Sequence, residues 1–450
     1  MPRWKIAPLA APLLAGTILR LALMTPWLKS GLVSSDTPSY LIPGTNLLLH
    51  GSFSVQGLPE LMRGPVYPLF LAICCQGGLL AASILHVLVS VWSIYLTWKL
   101  ARTLLPEARC ALAAAWLFAL EPLSIMLSFQ LLSDTFFVAL LLLFLNDLAR
   151  FFQEDRLALI ARAGLWLAID SFVRPLTYLL PWFLAIGIFA VLFRIPKRRW
   201  QAPALLLLTV LPWFGLWQLR NRAETGFSGF TSVVPYDLYY YNCAAIDAAV
   251  QHRSFESVHQ QYIRTIDVLR EKQHWTQKQI FDYMSAEASR MQRAHPGMTL
   301  RIQAIGSLRT LFIPATLDMM DMLYATTIRK MDSVRDSGID HGLAQLALQA
   351  ARTTPPGIIV LLAGLEVILL GYYLLALRGL FTARILPAQR WLLLGVLLYF
   401  IGVSGGAVAG SRYRLPLMPI ACILAAAGFA RHSSAESKPS EQPLALSAAE

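Results

Sequence analysis

Two polar clusters stand out in a chain that is otherwise mostly apolar: Asp36-Thr37-Pro38-Ser39-Tyr40 near its beginning and Ser411-Arg412-Tyr413-Arg414-Leu415-Pro416 near its end. A carboxylate such as Asp36 can take the proton of a hydroxyl as a general base. Guanidinium groups bind phosphate through paired hydrogen bonds and keep their charge at every working pH. If the two clusters share one side of a membrane, they suit the activation of a hydroxyl beside a lipid-linked phosphate.

The composition is that of a polytopic membrane protein. Of the 450 residues, 56% are hydrophobic and 14% are charged, whereas soluble domains carry about 25% charged residues. The formal net charge of +12 belongs mostly to loops that flank apolar segments, so it does not indicate a nucleic-acid partner. The five cysteines are scattered and predict neither a disulfide framework nor a CxxC metal site.

Candidate membrane spans are recognised by length, because a spanning helix needs about 20 apolar residues. About ten segments qualify in a hydropathy window, so we predict an all-α membrane protein. The first resembles a signal peptide, but its apolar run passes Arg20 without a convincing cleavage site, so we interpret it as an uncleaved helix. The segments cover roughly residues 6–28, 79–98, 110–127, 133–149, 158–173, 176–193, 202–219, 356–377, 391–409 and 415–430.

The positive-inside rule orients these helices. With a cytoplasmic N-terminus, every short and strongly basic loop falls on the cytoplasmic side, and the C-terminus lies there too. The opposite, outer face then holds a Gly- and Pro-rich loop of roughly 29–78, a polar segment of roughly 220–355 and the turn around Arg412. The basic loops carry Lys99, Arg102, Arg109, Arg150, Arg156, Arg194, Lys197, Arg198, Arg199, Arg378, Arg384, Arg390 and Arg431.

This topology divides the chain into four parts. The polar segment is expected to be helical, because Ile280, Met284, Ala288 and Met291 recur at helical spacing. The end of the chain is rich in Ser, Pro and Ala, which favours disorder. The parts are an N-terminal transmembrane bundle (1–220) with the candidate catalytic loop (29–78), a mostly helical extracytoplasmic segment (221–355), C-terminal transmembrane helices (356–430) and a disordered cytoplasmic tail (431–450).

Arginines on the outer face depart from the positive-inside rule. A single one could extend its charge to lipid headgroups, and Arg174 could instead pair with Asp170 one helical turn earlier. Several together beside helix ends favour a shared anionic ligand, because guanidinium binds phosphate well. The six are Arg63, Arg174, Arg220, Arg222, Arg412 and Arg414.

Acidic residues on the same face are few, and each has a structural alternative. Asp36 precedes Thr37-Pro38, which is a helix-start signal, so helix capping competes with catalysis. Asp134 follows Ser133 at the start of an apolar helix and has the same alternative. Glu121 before Pro122 could be structural. The tyrosines between 236 and 241 could line a sugar or lipid groove, or belong to an interfacial aromatic belt.

The order of these motifs resembles that of GT-C-fold glycosyltransferases that use polyprenyl-phosphate sugars, such as protein O-mannosyltransferases and the lipid A aminoarabinose transferase. The resemblance runs from residue 1 to about 430 and leaves roughly 236–350 without a matching motif. The matching elements are Asp36-Thr37-Pro38-Ser39-Tyr40, Gly51, Arg63-Gly64-Pro65-Val66-Tyr67-Pro68, Pro122 followed by Ser133-Asp134, Arg174-Pro175, Arg220-Asn221 and Arg412-Tyr413-Arg414-Leu415-Pro416.

The resemblance implies a GT-C-like bundle that transfers a sugar to an acceptor hydroxyl on the outer face with inversion. Asp36 would be the general base, supported by Asp134. A divalent metal stays open, because Asp36 is followed by Thr37 where several relatives carry Asp-Glu, and no metal ligand is assigned. The donor phosphate would be held by Arg63, Arg174, Arg220, Arg412 and Arg414, and the substrate groove would be lined by Tyr40, Tyr67 and Tyr413.

The expected partners are a polyprenyl-phosphate sugar, an acceptor glycan, lipid or protein, and membrane lipids. We place the protein in a bacterial inner membrane, because the chain lacks a retention-type signal. A lipid or solute transporter is the alternative. It would show internal repeats and charges near the bilayer midplane, whereas the sequence shows no clear repeat and its charges cluster at one face. A non-enzymatic scaffold leaves the outer arginines unexplained, and an oligosaccharide ligase is not expected to carry the early Asp36 loop.

Overall fold

The computed structural model describes residues 7–30, 32–195, 197–313 and 356–429. Those residues are almost entirely helical, with one two-stranded hairpin. The predicted tail at 431–450 and the last part of the predicted extracytoplasmic segment, 314–355, lie outside the described residues.

The first half of the chain supplies the loop that carries Asp36 and most of the helical bundle. Its elements are α1 (Ala7–Met24), α2 (Trp27–Ser30), α3 (Thr37–His50), β1 (Ser54–Val55), β2 (Leu58–Pro59), α4 (Val66–Cys75), α5 (Gly78–Leu104), α6 (Ala108–Ala119), α7 (Pro122–Leu127), α8 (Ser133–Glu154), α9 (Leu157–Val173), a 3₁₀ turn (Pro175–Thr177), α10 (Leu180–Val191) and α11 (Arg198–Thr225).

The second half begins with short polar helices and returns to the bundle at its end. Its elements are α12 (Val233–Asp237), a π-helical turn (Leu238–Cys243), α13 (Ala244–Gln251), α14 (Phe255–Glu271), α15 (Gln277–Ala294), α16 (Pro296–Phe312), α17 (Pro356–Thr382), α18 (Pro387–Val403), a 3₁₀ turn (Ser411–Leu417) and α19 (Met418–Phe429).

The apolar helices confirm the predicted class, an all-α polytopic membrane protein. In the part of the chain that the structure describes, α5, α8, α11 and Ala363–Thr382 of α17 are long and apolar enough to span a bilayer. Shorter apolar helices, including α1, α4, α6 and α18, accompany them. At the centre, α8 packs against α5 and α9 and buries most of its length.

Prolines explain where predicted spans are interrupted. The segment predicted at 110–127 is two helices, α6 and α7, because Pro122 lacks an amide proton and starts a new helix. The predicted outer loop 29–78 contains α3 and α4, and each begins at or next to a proline, Pro38 and Pro65. Helix α3 ends at His50 because Gly51 adopts the left-handed conformation (φ +67°) that favours glycine.

Helices α12 to α16 form a polar domain with a hydrophobic core of its own. The four residues whose spacing predicted a helix, Ile280, Met284, Ala288 and Met291, are the buried residues of α15. They pack in one cluster with Tyr239 of the π-helical turn and with residues of α13 and α14. The polar domain is therefore a folded unit, which rests against the bundle through α16.

Candidate active site

One arginine joins the two polar clusters at opposite ends of the chain. The guanidinium of Arg412 donates from Nη1 to Oδ2 of Asp36 over 2.9 Å and from Nη2 to Oδ2 of Asp134 over 2.8 Å. Arg412 lies in the 3₁₀ turn before α19, Asp36 precedes α3, and Asp134 is in the first turn of α8. Three distant segments thus meet at a shared ion-pair network.

Arg174 completes this network from the end of α9. It donates from Nη1 to Oδ1 of Asp134, the oxygen that Arg412 does not use. Its guanidinium lies 5.3 Å from the centre of the Tyr413 ring. The alternative pairing with Asp170 is wrong, because neither carboxylate oxygen of Asp170 has a hydrogen-bond partner among the described residues. Asp134 is 1% exposed, so its two arginine partners compensate a buried charge.

Hydrogen bonds between α3 and α8 bring the two carboxylates together. Thr37 donates its hydroxyl to the carbonyl of Leu131 over 3.1 Å, and the hydroxyls of Tyr40 and Ser133 lie 3.2 Å apart. Asp36 stands at the N-cap position of α3, but its side chain makes no capping hydrogen bond. The capping alternative for Asp36 is therefore wrong, and its carboxylate is directed to Arg412 instead.

Arg63 approaches the network from the loop before α4. Its guanidinium lies 4.4 Å from the centre of the Tyr40 ring, and its Nε donates to the hydroxyl of Ser39 over 3.2 Å. The next residue, Gly64, packs against the end of α9, where an added Cβ would lie 2.1 Å from the carbonyl oxygen of Phe172. Only glycine fits there, and this close contact holds the loop that carries Arg63 against the end of α9.

Two of the other predicted phosphate ligands already bind backbone carbonyls. Arg220 donates to the carbonyls of Phe53 over 2.9 Å and Glu60 over 2.8 Å, so it binds the two residues that flank the hairpin. Arg414 is buried and donates to the carbonyls of Leu311 and Ile313 over 2.9 and 3.0 Å at the end of α16. Phosphate binding by these two arginines stays a prediction, because the nitrogens described here are already bound to carbonyls.

The three predicted groove tyrosines differ in exposure. Tyr67 is fully buried, and its hydroxyl lies 2.9 Å from Nε2 of His86. Tyr40 is also buried and carries Arg63 on its ring. Tyr413 is only partly buried and lies beside Arg174. A groove role for all three stays a prediction, although Tyr40 and Tyr67 are placed to support the residues around them.

Glu121 caps α7 through the amides of Leu123 and Ser124, as its structural alternative predicted.

A carboxylate that the sequence did not single out lies beside the network. Asp237 ends α12, is half-buried and faces the positive charge of Arg63. Burial raises the pKa of Asp237 to about 6, and Arg63 opposes this rise. The pKa of Arg412 behaves differently: burial lowers it, but the carboxylates of Asp134 and Asp36 outweigh burial and raise it well above its usual value. One sequence signal could have found Asp237, namely its place directly after Tyr236 in the tyrosine-rich stretch 236–241.

These residues do not fit a divalent metal ion. Calcium and magnesium take oxygen ligands, several of them carboxylates, but the facing oxygens of Asp36 and Asp134 are bridged by Arg412. Within the described ranges, no group of three or more His, Cys, Asp or Glu side chains is arranged to hold a metal. The positive charge between the two carboxylates is a guanidinium.

The fold can be compared with solved structures. The crystal structure of the Archaeoglobus fulgidus oligosaccharyltransferase in the apo form aligns with a TM-score of 0.52 at 12% identity, over 94% of this chain and 50% of that one. The chain has the GT-C fold of membrane glycosyltransferases. The fold expected from the order of the motifs is thereby confirmed. The present chain spans about half the length of the oligosaccharyltransferase.

Two further solved structures with this GT-C fold align less closely. The archaeal oligosaccharyltransferase AglB from Archaeoglobus fulgidus, in complex with an inhibitory peptide and a dolichol-phosphate, gives a TM-score of 0.47 at 12% identity, over 94% of this chain and 50% of that one. ArnT from Cupriavidus metallidurans in the apo state gives 0.37 at 14% identity, over 83% and 84%. No protein-family model matches the sequence, and no curated protein matches it.

Proposed function

We propose that this protein is a membrane glycosyltransferase that moves a sugar from a polyprenyl-phosphate-linked donor to an acceptor hydroxyl, with inversion at the anomeric carbon. One observation carries the proposal. Within a GT-C fold, Arg412 binds both Asp36 and Asp134, and Asp134 also binds Arg174. The candidate base, Asp36, is therefore in direct contact with one candidate phosphate ligand, Arg412, and close to the other, Arg174. A base for the acceptor and a clamp for the leaving phosphate are the two functions that this transfer requires.

In the proposed reaction, the acceptor oxygen attacks the anomeric carbon from the face opposite the phosphate. The acceptor hydroxyl gives its proton to Asp36 as the new carbon–oxygen bond forms. The bond between the anomeric carbon and the phosphate oxygen breaks, and its electron pair leaves with the lipid phosphate. Arg412, Arg174 and Arg63 stabilise the charge on that phosphate. Asp134 is a positioning residue, since it orients Arg174 and Arg412 through separate oxygens.

We propose that Arg412 also couples donor binding to activation of the base. Its Nη1 is bound to Asp36 in this structure, and a carboxylate paired with a guanidinium is a weaker base than a free one. A donor phosphate competes for the same guanidinium, because Arg binds phosphate bidentately. Donor binding would then release Asp36 to accept the proton of the acceptor. No divalent ion is needed, because guanidinium groups neutralise the phosphate.

We propose that the reaction takes place on the outer face of a bacterial inner membrane, with both termini in the cytoplasm. The ion-pair network lies at the starts of α3 and α8 and at the end of α9, and these helix ends belong to the outer face under the positive-inside rule. The same location argues against a transporter, in which charges are expected near the middle of the bilayer.

A transfer assay on the purified full-length protein in lipid nanodiscs tests the proposal. Radiolabelled undecaprenyl-phosphate sugars are supplied with separate lipid, cell-wall and protein extracts as acceptors, and donor binding is measured in parallel. We expect wild type to transfer one of the sugars, Asp36→Asn to lose about 100-fold or more of the rate while still binding donor, and inversion in the product. Asp267→Asn, an exposed carboxylate on α14, is the matched control.

Two results would contradict the proposal in different ways. Near-normal transfer by Asp36→Asn would remove Asp36 as the base but keep the reaction class. Failure of wild type to bind any of the lipid-linked sugars would reject the glycosyltransferase and favour the transporter.

A further inference from the structure

A short segment connects the two loops that carry the site arginines. We call residues Thr231–Asn242 the bridging segment. At one end, the Thr231 hydroxyl donates to the carbonyl of Met62 over 2.9 Å, and the Ser232 amide donates to the carbonyl of Leu61 over 2.9 Å. At the other end, Oδ1 of Asn242 accepts from the amide of Ala407 over 2.8 Å. The bridging segment is thus fixed both beside Arg63 and beside the loop that leads to Arg412.

Asp237 lies in the middle of the bridging segment, at an irregular point of its backbone. Helix α12 ends at Asp237, and the π-helical turn begins at the next residue, Leu238. π-Helical turns are rare in proteins, and those that occur are often found at functional sites. The charged and titratable groups that act on Asp237 come from three elements: Arg63 of the first loop, Tyr236 of α12 and Tyr413 of the turn before α19.

The carboxylate of Asp237 has no hydrogen-bond or ion-pair partner among the residues that the structure describes, although it is half-buried. Its oxygens are not among the fully enclosed side-chain atoms that lack a partner, so a ligand can reach them. Partial burial disfavours the bare charge, and a ligand that donates hydrogen bonds would stabilise it. A phosphate cannot, because it carries the same sign of charge.

We propose that Asp237 binds the sugar of the lipid-linked donor by accepting hydrogen bonds from its hydroxyl groups. This inference rests on the proposed function and names a binding residue within it. Tyr413 directly follows Arg412 and also faces Asp237, so the carboxylate lies next to the proposed phosphate clamp. The sugar is attached directly to that phosphate and must occupy the adjacent space. The half-exposed rings of Tyr413 and Tyr236 offer apolar surfaces of the kind on which a sugar ring can rest.

A binding comparison with and without the sugar tests the inference. Wild type, Asp237→Asn and the exposed control Asp267→Asn are titrated with undecaprenyl phosphate and with the undecaprenyl-phosphate sugar that wild type binds most tightly. We expect Asp237→Asn to weaken binding of the sugar-bearing lipid about tenfold, the loss expected for one hydrogen bond to a charged group. Binding of undecaprenyl phosphate should stay unchanged, and Asp267→Asn should match wild type with both lipids. Thermal unfolding of each variant checks that the fold is kept.

Three results would overturn the inference. One is an unchanged affinity of Asp237→Asn for the sugar-bearing lipid. Another is an equal loss for both lipids, which would mean that Asp237 acts through the phosphate clamp. The third is a loss of the same size in the exposed control Asp267→Asn, which would mean that the effect is not specific to Asp237. All three leave the glycosyltransferase proposal standing, whereas wild type that binds neither lipid would defeat that proposal first.

Discussion

Nη1 of Arg412 lies 2.9 Å from Oδ2 of Asp36, so the candidate base and the candidate phosphate clamp share one hydrogen bond. The second terminal nitrogen of Arg412 is committed to Asp134. A phosphate that enters can therefore take the Asp36 contact while Asp134 keeps the guanidinium in place. This arrangement predicts an ordered reaction in which donor binds before the acceptor hydroxyl loses its proton.

Replacing Arg412 by lysine should be nearly as harmful as replacing it by alanine. Lysine keeps the charge, but a single ammonium group cannot present two parallel donors to Asp36 and Asp134 as the planar guanidinium does. We expect both variants to raise the Kd for undecaprenyl phosphate about tenfold or more, since a charged hydrogen bond contributes roughly 1.5–3 kcal/mol. Arg264→Lys, at an exposed arginine of α14, is the control. Wild-type affinity in Arg412→Lys would mean that charge alone is sufficient.

Removal of divalent ions should leave transfer unaffected. The two carboxylates of the site are bridged by a guanidinium, and the described residues offer no third acidic, His or Cys ligand. We expect the purified protein to keep its full rate after dialysis against EDTA and to gain nothing from added Mg²⁺, Mn²⁺ or Ca²⁺. A rate that falls with EDTA and returns with one ion would contradict this proposal.

Donor affinity should depend on the protonation of Asp237. Burial raises its pKa from 3.8 to about 6, with Arg63 opposing, and Tyr236 and Tyr413 are the other titratable groups that face it. Above this pKa the carboxylate accepts hydrogen bonds from two hydroxyls, whereas the protonated acid below it is a poorer acceptor. We expect the KM for the sugar donor to fall as the pH rises through about 6, and this step to vanish in Asp237→Asn.

The same shift has a consequence of opposite sign for stability. A carboxyl whose pKa is higher in the folded state than in the unfolded state favours folding most at low pH. The free energy of unfolding should therefore lose a contribution between the unfolded value of 3.8 and the folded value of about 6. Asp237→Asn should remove that slope in denaturation followed across this range, and an identical slope in both proteins would refute the assignment.

A methyl group at Gly64 should displace the loop that carries Arg63. The added Cβ would lie 2.1 Å from the carbonyl oxygen of Phe172, a backbone atom that cannot move aside alone. We expect Gly64→Ala to destabilise the protein by about 1–3 kcal/mol, as overpacking does, and to weaken donor binding. In Gly187→Ala, the Cβ on α10 would meet no atom within 4 Å, so stability and binding should stay close to wild type. Equal unfolding temperatures for the two variants would contradict this explanation.

The order of motifs and the placement of arginines predicted which ends of the chain meet. An arginine on the outer face requires a partner, and in the structure Arg412 pairs with Asp36 and Asp134. The sequence alone does not show whether each arginine is already hydrogen-bonded to other groups of the protein. Arg414 follows Arg412 by two residues, yet it is bound to carbonyls of α16. That difference depends on how α16 packs, which no local pattern records.

Asp237 is the reverse case: it lies beside the candidate site, but no local sequence pattern predicts it. Its neighbours in sequence are tyrosines that are equally typical of a membrane interface, and the segment around it matches no motif. Its place beside the ion-pair network depends on the hydrogen bonds of Thr231, Ser232 and Asn242 with loops that are distant in sequence.

Capping was a reasonable alternative for Asp36, because the backbone does start a helix there. The side chain turned away because a guanidinium binds a carboxylate more strongly than a backbone amide does.

The distance in sequence between Asp36 and Arg412 also affects how the protein is synthesised and inserted into the membrane. Synthesis proceeds from the N-terminus, so Asp36 and Asp134 enter the membrane long before the turn that carries Arg412. Until that turn arrives, Asp134 has Arg174 alone, and Asp36 has no ion-pair partner among the described residues. The turn that carries Arg412, one of the last described segments to be synthesised, thus completes the charge balance of the first loop.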